Sequence, residues 1–167
     1  MIAAIDQNSA LSKNGVIAWD IPEDRDFFRK TIAKQNLLVG RHTYNQMQGC
    51  YKDQDVYLLS QSQYKAPLHY NRTYPFIELH EALSTAEEND VEKLFVIGGA
   101  SIYDQTIELA DELYITEVAC TISGDRFFPK IDETSWQVFS RETQLSASQN
   151  EKDTHSFSFV HYTRRAN

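Results

Sequence analysis

From residue 37 to residue 110, short apolar runs alternate with stretches of helical composition. Beyond residue 111 the helices stop and only strand-like runs remain. Leu37-Leu38-Val39-Gly40 reads as a buried strand ending in glycine. Residues 41–48 then read as a short helix, with Gly49 placed to end it. A strand is expected over 56–60, a loop containing Pro67 over 61–73, and an edge strand around Pro75 over 74–77. Leu79, Ala82, Leu83 and Ala86 give 78–89 a helical composition; 93–97 is a strand stopped by Gly98-Gly99, and 100–110 a helix. Upstream, 2–5 is a short apolar run, 6–15 a polar loop and 16–19 apolar again. Pro22 suits a first helical position, and Glu23, Asp24 and Asp26 suit the positive end of a helix dipole, so a helix is expected over 22–34. Strands are expected over 111–119, 136–143 and 154–164. Strand–helix alternation followed by strands alone favours an α/β fold, a mixed sheet with helices on both faces.

No repeat, charge block or low-complexity linker divides the 167 residues, and at ~150 residues per domain the whole of 1–167 reads as a single domain. The formal net charge is −8, which argues against a nucleic-acid partner, since a basic balance is the footprint of phosphate-backbone binding. No apolar run approaches the ~20 residues that a bilayer requires, so no membrane partner is expected. The opening MIAAIDQN has no basic segment and does not read as a signal peptide, which makes the cytoplasm the expected compartment and a monomer the expected form. Cys50 and Cys120 form no CxxC, and the five histidines include no HxxxH pair, so no metal is expected.

Two strand–glycine–helix junctions carry most of the chemical signal. They are Leu38-Val39-Gly40-Arg41-His42-Thr43 and Val96-Ile97-Gly98-Gly99-Ala100-Ser101-Ile102-Tyr103. Free N–H groups at a helix start bind phosphate, and glycine lets a ligand approach the backbone. Two such ends suit the two ends of a dinucleotide, with Arg41 and His42 supplying donors for an extra phosphate. Neither junction is GxGxxG, and the plainer reading is a pair of tight turns. Asp24 is the other feature: a carboxylate in a first helical turn, close to Trp19 and one turn from Phe28. Aromatic surroundings would raise its pKa and suit it to acid–base work, whereas a solvated Asp24 would merely complement the dipole.

Four segments in order, Trp19-Asp20-Ile21-Pro22-Glu23-Asp24, Gly40-Arg41-His42-Thr43, Ile97-Gly98-Gly99-Ala100-Ser101-Ile102-Tyr103 and Gly124-Asp125-Arg126-Phe127-Phe128-Pro129, resemble the dihydrofolate reductase family over nearly the whole chain. The resemblance implies a central, mostly parallel eight-stranded sheet with one antiparallel strand, flanked by about four helices. It implies that NADPH delivers hydride to C6 of dihydrofolate while a proton reaches N5. By the same resemblance, Asp24 grips the pterin 2-amino group and N3, with Trp19 and Thr116 holding the carboxylate and a nearby water. Ile2, Ala4 and Ile97 line the pterin pocket, the carbonyls of Ile2 and Ile97 serving as acceptors. Tyr103 lies beside nicotinamide and pterin, and Phe28 and Met47 flank the aminobenzoyl ring. Ala4, Leu11 and Gly15 border the cofactor. Gly40, Arg41, His42, Thr43, Ser60 and Gln61 hold its adenosine end. Gly98, Gly99, Ala100, Ser101 and Ile102 form a diphosphate turn with a cis peptide between the glycines.

The chain departs from the family pattern at several positions. Ser12 stands where glycine is usual and Ala18 where proline is usual, both in the loop that closes over the nicotinamide. Tyr44 replaces a tryptophan, and Ser101 occupies a place often basic. The arginine that binds the substrate's glutamate tail falls on Gln54. Arg25 and Arg29, four residues apart on the helix of Asp24 and Phe28, are therefore the candidates for binding that tail. Two other readings are a same-fold pyrimidine reductase of riboflavin synthesis, whose phosphorylated substrate needs cations around it, and a catalytically silent nucleotide- or pterin-binding protein. Intact Asp24, Trp19, Thr116 and Tyr103 argue against the silent form.

Overall fold

The structure is a computed structural model that describes residues 1–47, 50–61, 72–146 and 155–166. Eight strands form two hydrogen-bonded sets of four. In the first, β3 (Asn36–Gly40) lies between β4 (Asp55–Leu59) and β6 (Leu94–Val96), and β5 (Thr73–Phe76) forms the edge beyond β4. All of its pairs are parallel. In the second, β7 (Glu112–Val118) is flanked by β1 (Ile2–Ile5) and β10 (Ser156–Arg164), with β9 (Trp136–Leu145) at the edge. Here β1 and β7 are parallel, and β10 runs antiparallel to both of its neighbours. One antiparallel strand in a mostly parallel arrangement is what the resemblance implies. The ladder differs in being broken between β1 and β6, which are each the end strand of their set.

The core shows why the two sets behave as layers of one body. On one face, Leu38 and Tyr57 of the first set pack with Leu113 and Ile115 of the second, under Ala82 and Ala86 of α3 (Leu79–Glu88) and Ile102 and Tyr103 of α4 (Ala100–Thr106). On the other, Val39, Val56 and Leu58 meet Ile2, under Ile32 of α1 (Pro22–Ile32) and Tyr44 of α2 (Arg41–Gln46). Leu37, Leu38 and Val39 are buried on both faces, which is why the strand reads as an unbroken apolar run.

Element types follow the sequence expectation, with local differences. The expected helix over 22–34 ends at Ile32, and that over 100–110 passes into a 3₁₀ turn, Ile107–Leu109. Helix α2 ends at Gln46, while Gly49, expected to stop it, and most of the 61–73 loop with Pro67 lie outside the described residues. The loop expected over 6–15 contains a strand, β2 (Ala10–Ser12), paired with β8 (Arg126–Phe127). Its cause is side-chain capture of the backbone. The buried Asp6 carboxylate accepts the N–H groups of Asn8, Ala10 and Ile122, each at 2.8 Å, and so fixes the turn that leads into β2.

Candidate active site

Asp24 lies in the first turn of α1, which is led in by Pro22 and faces β7. The Thr116 hydroxyl donates to Asp24 Oδ1 at 2.6 Å. Burial pushes the Asp24 carboxyl above the usual range, and the Thr116 hydrogen bond opposes this only in part. Trp19 is buried, and its indole Nε1–H has no protein partner among the described residues. It is thus a donor held ready beside the helix that carries the acid. Tyr103, on α4, reaches the same region from the other face. Its hydroxyl donates to the Ile2 carbonyl at 2.7 Å, and burial together with the Asp24 charge raises its pKa. Of the two backbone carbonyls expected as acceptors, that of Ile2 therefore already accepts one hydrogen bond. Tyr103 also bridges the two strand sets, since it stands on the helix after β6 and bonds to β1.

Apolar walls surround the acid. Ile2 and Ile97 belong to one buried cluster, against which Phe28 and Met47 pack. Ala4 packs against a second cluster containing Trp19, Ile21, Val118 and Phe157. The sequence offered no reason to include Tyr51, yet it is buried in the first cluster and stacks on Tyr44 with ring centroids 5.0 Å apart.

The two glycine junctions meet. The Gly40 N–H donates to the Gly98 carbonyl at 2.7 Å, and the Gly98–Gly99 peptide is cis. Gly98 has φ +108°, and a Cβ there would lie 3.1 Å from the Tyr103 ring; at Gly99 it would lie 3.1 Å from Thr43 Oγ1, and at Gly40 2.9 Å from Ile102 Cγ1. A side chain at any of the three would crowd its neighbours, most severely at Gly98, where φ is also positive, so the glycines leave a backbone cradle beside Thr43 and the start of α2. Arg41 Nη2 donates to the buried Ser60 hydroxyl, while His42 and Gln61 are exposed. Ser101 lies on the exposed side of α4, bonded by Gln105 Nε2. A bare backbone turn with an arginine and hydroxyls beside it fits a phosphate-bearing dinucleotide.

The loop ahead of Trp19 is folded. Lys13 and Val16 exchange both backbone hydrogen bonds, at 2.9 and 3.2 Å, around Asn14 (φ 54°) and Gly15 (φ 75°). An Asn-Gly pair with both φ positive is the favoured two-residue hairpin turn, a signal that the sequence carries inside the segment expected to be a loop. Ser12, in place of the usual glycine, donates its hydroxyl to Asp125 Oδ1 at 2.7 Å, and the Gly15 N–H donates to Oδ2 at 2.8 Å. Leu11, in β2, packs against the main core.

The arginines of α1 are less available than their spacing suggested. Arg25 pairs with Asp20, and Arg29 Nη1 lies 3.9 Å from Asp26 Oδ1. Gln54 is buried and structural: its Nε2 donates to the Ile32 carbonyl at the end of α1, at 3.3 Å.

A dihydrofolate reductase family model matches residues 1–164. A dihydrofolate reductase of Neisseria meningitidis is 33% identical over 166 residues, covering 98% of this chain and 96% of that one. One from Bacillus subtilis is 26% identical, over 98% and 93%. The solved dihydrofolate reductase of Enterococcus faecalis, complexed with NADP(H) and RAB-propyl, superposes with a TM-score of 0.81 at 27% identity, over 99% of this chain and 95% of that one. With the half-buried acid, the paired glycine junctions and the strand order all found in one chain, and a family match over nearly all of it, the protein belongs to the dihydrofolate reductase family.

Proposed function

We propose that this chain reduces 7,8-dihydrofolate to 5,6,7,8-tetrahydrofolate with NADPH, acting as a monomeric single domain in the cytoplasm. The observation that carries the reading is the half-buried Asp24, held by Thr116 at 2.6 Å between apolar walls and opposite Tyr103. When bound, NADPH supplies the hydride that C6 of the pterin receives. Asp24 accepts hydrogen bonds from the pterin 2-amino group and N3, which fixes the ring's orientation. Its raised pKa keeps a proton closer to neutral pH than an ordinary aspartic acid does, which suits protonation at N5. Trp19 Nε1–H orients the polar neighbours of the carboxylate, and Ile2, Ala4, Phe28, Met47 and Ile97 exclude water from the ring. Arg41, His42, Thr43, Ser60 and Gln61 receive the adenosine end, and the turn from Gly98 to Ile102 receives the diphosphate. Ala4, Leu11 and Gly15 border the nicotinamide. The pairing of Trp19 with Asp24, which a pyrimidine reductase of the same fold does not require, favours dihydrofolate over a phosphorylated pyrimidine. The test is loss of the NADPH absorbance band with dihydrofolate, against a blank without substrate. A wild-type rate equal to the blank overturns the reading.

A further inference from the structure

The hairpin at residues 13–16 is gripped at its tip from two sides. Asp125 takes the Gly15 N–H at 2.8 Å, and Gln46 Nε2, from the last turn of α2, donates to the Gly15 carbonyl at 2.7 Å. Gln46 follows His42 by one helical turn, so the two share a face of α2. The hairpin rests on that face, since a methyl on Gly15 would lie 3.8 Å from His42 Nε2. The same helix begins with Arg41, His42 and Thr43, and Thr43 adjoins the Gly99 cradle. A strap therefore runs from Asp125 through Gly15 to Gln46, on the helix whose first turn adjoins the cradle.

We propose that Gln46 is a positioning residue for the reaction: its amide holds the hairpin down on α2 and so sets how fast the cofactor leaves. The inference rests on the cofactor reading given above. Several observations carry it to Gln46 in particular. The two-residue Asn-Gly turn closes the Lys13–Val16 bridge locally, so a bond at its tip acts on all four residues together. Two bonds on one peptide-flanked residue hold it more firmly than either does alone, because the first pre-orients Gly15 for the second. Val16 and Ile17, 60% and 63% exposed, are the adjoining aliphatic residues, and a bound ring system beneath the strap is the apolar surface that suits them. Gln46 bonds the strap from the α2 side, and Asp125 holds it from the other, through Gly15 and Ser12.

The test is Gln46→Met, which keeps side-chain length and removes the donor, with Gln46→Ala beside it. Two measurements are made. Amide hydrogen exchange of Gly15 and Val16 in the protein without cofactor reports the strap directly; it is expected to quicken by about three- to tenfold, the loss of one ordinary hydrogen bond. Dissociation of NADPH, followed by fluorescence after trapping with excess NADP, is expected to speed up by a similar factor, with the KM for dihydrofolate within twofold of wild type. Unchanged exchange in both variants overturns the tether. Faster exchange with unchanged NADPH release overturns its role in the reaction. An equal rise in the dihydrofolate KM marks Gln46 as merely structural. Failure of the cofactor reading itself would show separately, as a wild-type protein that does not bind NADPH while the exchange result still stands.

Discussion

Burial makes the Asp24 carboxyl prefer its proton, and that preference has a measurable cost in stability. An acid whose folded-state pKa lies above its unfolded value is carried comfortably while protonated. As pH rises through the folded-state pKa it is charged against its surroundings, and the folded state loses ground. At neutral pH Asp24 therefore opposes folding. Asp24→Asn removes the charge while Thr116 can still bond to the amide, so the variant should melt higher than wild type at pH 7 and lose that advantage as pH falls. Its turnover should drop by roughly 10²–10⁴ and recover in part toward acid pH, where substrate arrives protonated. A melting point lowered at every pH would make Asp24 a structural residue. The acid was legible in the sequence because aromatic residues flank it. Asp26, three residues before Arg29 on the helix, was open to the sequence as a partner; Asp20, which takes Arg25, was not, because it lies ahead of the helix where no period places it. The exposed Arg25–Asp20 pair belongs to a class that contributes ~0–1 kcal/mol, so a substrate carboxylate can replace Asp20 at little cost. Arg25→Ala should raise the KM for dihydrofolate about two- to fivefold and leave that for a dihydropterin without glutamate unchanged. An equal change for both would separate Arg25 from the tail.

Among the elements, the small ribbon of β2 and β8 needs long-range contacts to complete it, beyond the local turn that Asp6 fixes. Gly124 lies just before β8, and a Cβ there would stand 2.5 Å from the Ala10 side chain and 3.3 Å from the Ser12 carbonyl. Gly124→Ala must therefore push β8 away from β2 and with it Asp125, which holds both Ser12 and Gly15. The expected result is a destabilisation of about 1–3 kcal/mol, as for other overpacked sites, with hairpin amides exchanging faster. Unchanged exchange would show that Asp125 keeps its grip by another route. The longer elements were legible because each carries its own period or unbroken apolar run: β3 in Leu37, Leu38 and Val39, and α3 in Ala82 and Ala86. The short β2 and β8, set among polar residues, carry neither a period nor an apolar run, unlike the equally short β6 with its buried Phe95 and Val96. The Asp6 and Asp125 bonds that order them join residues more than a hundred positions apart. The hairpin at 13–16 is the exception, a local signal in Asn14-Gly15 set inside a segment that otherwise reads as polar loop.

At the scale of the whole molecule, the two strand sets share cores but, among the described residues, no ladder, so side chains do much to unite them. Tyr103 to Ile2 is one such link, and a cluster around Glu112 is another. Lys93, at the entry to β6, approaches Glu112 Oε2 at 3.0 Å, and the Tyr114 hydroxyl donates to the same oxygen at 2.5 Å. His161 of β10 stacks on Tyr114 and brings Nε2 within 3.3 Å of that oxygen. Glu112 thus joins the first set, through Lys93, to two strands of the second. The Tyr114 hydrogen bond, then Lys93, hold its carboxyl down at about 2. A carboxylate with a depressed folded-state pKa stabilises fully above its unfolded value, here 4.5, and loses that contribution as pH falls toward about 2. Glu112→Gln should accordingly lower the melting temperature at pH 7 by about 2–4 °C, a modest effect because the cluster is partly open to solvent. The gap should narrow below pH 4.5 and nearly close by pH 2. Thermal melts of both proteins across that range decide the point, and a gap of constant width would show that Glu112 joins the sets by its shape and hydrogen bonding, with its charge contributing nothing.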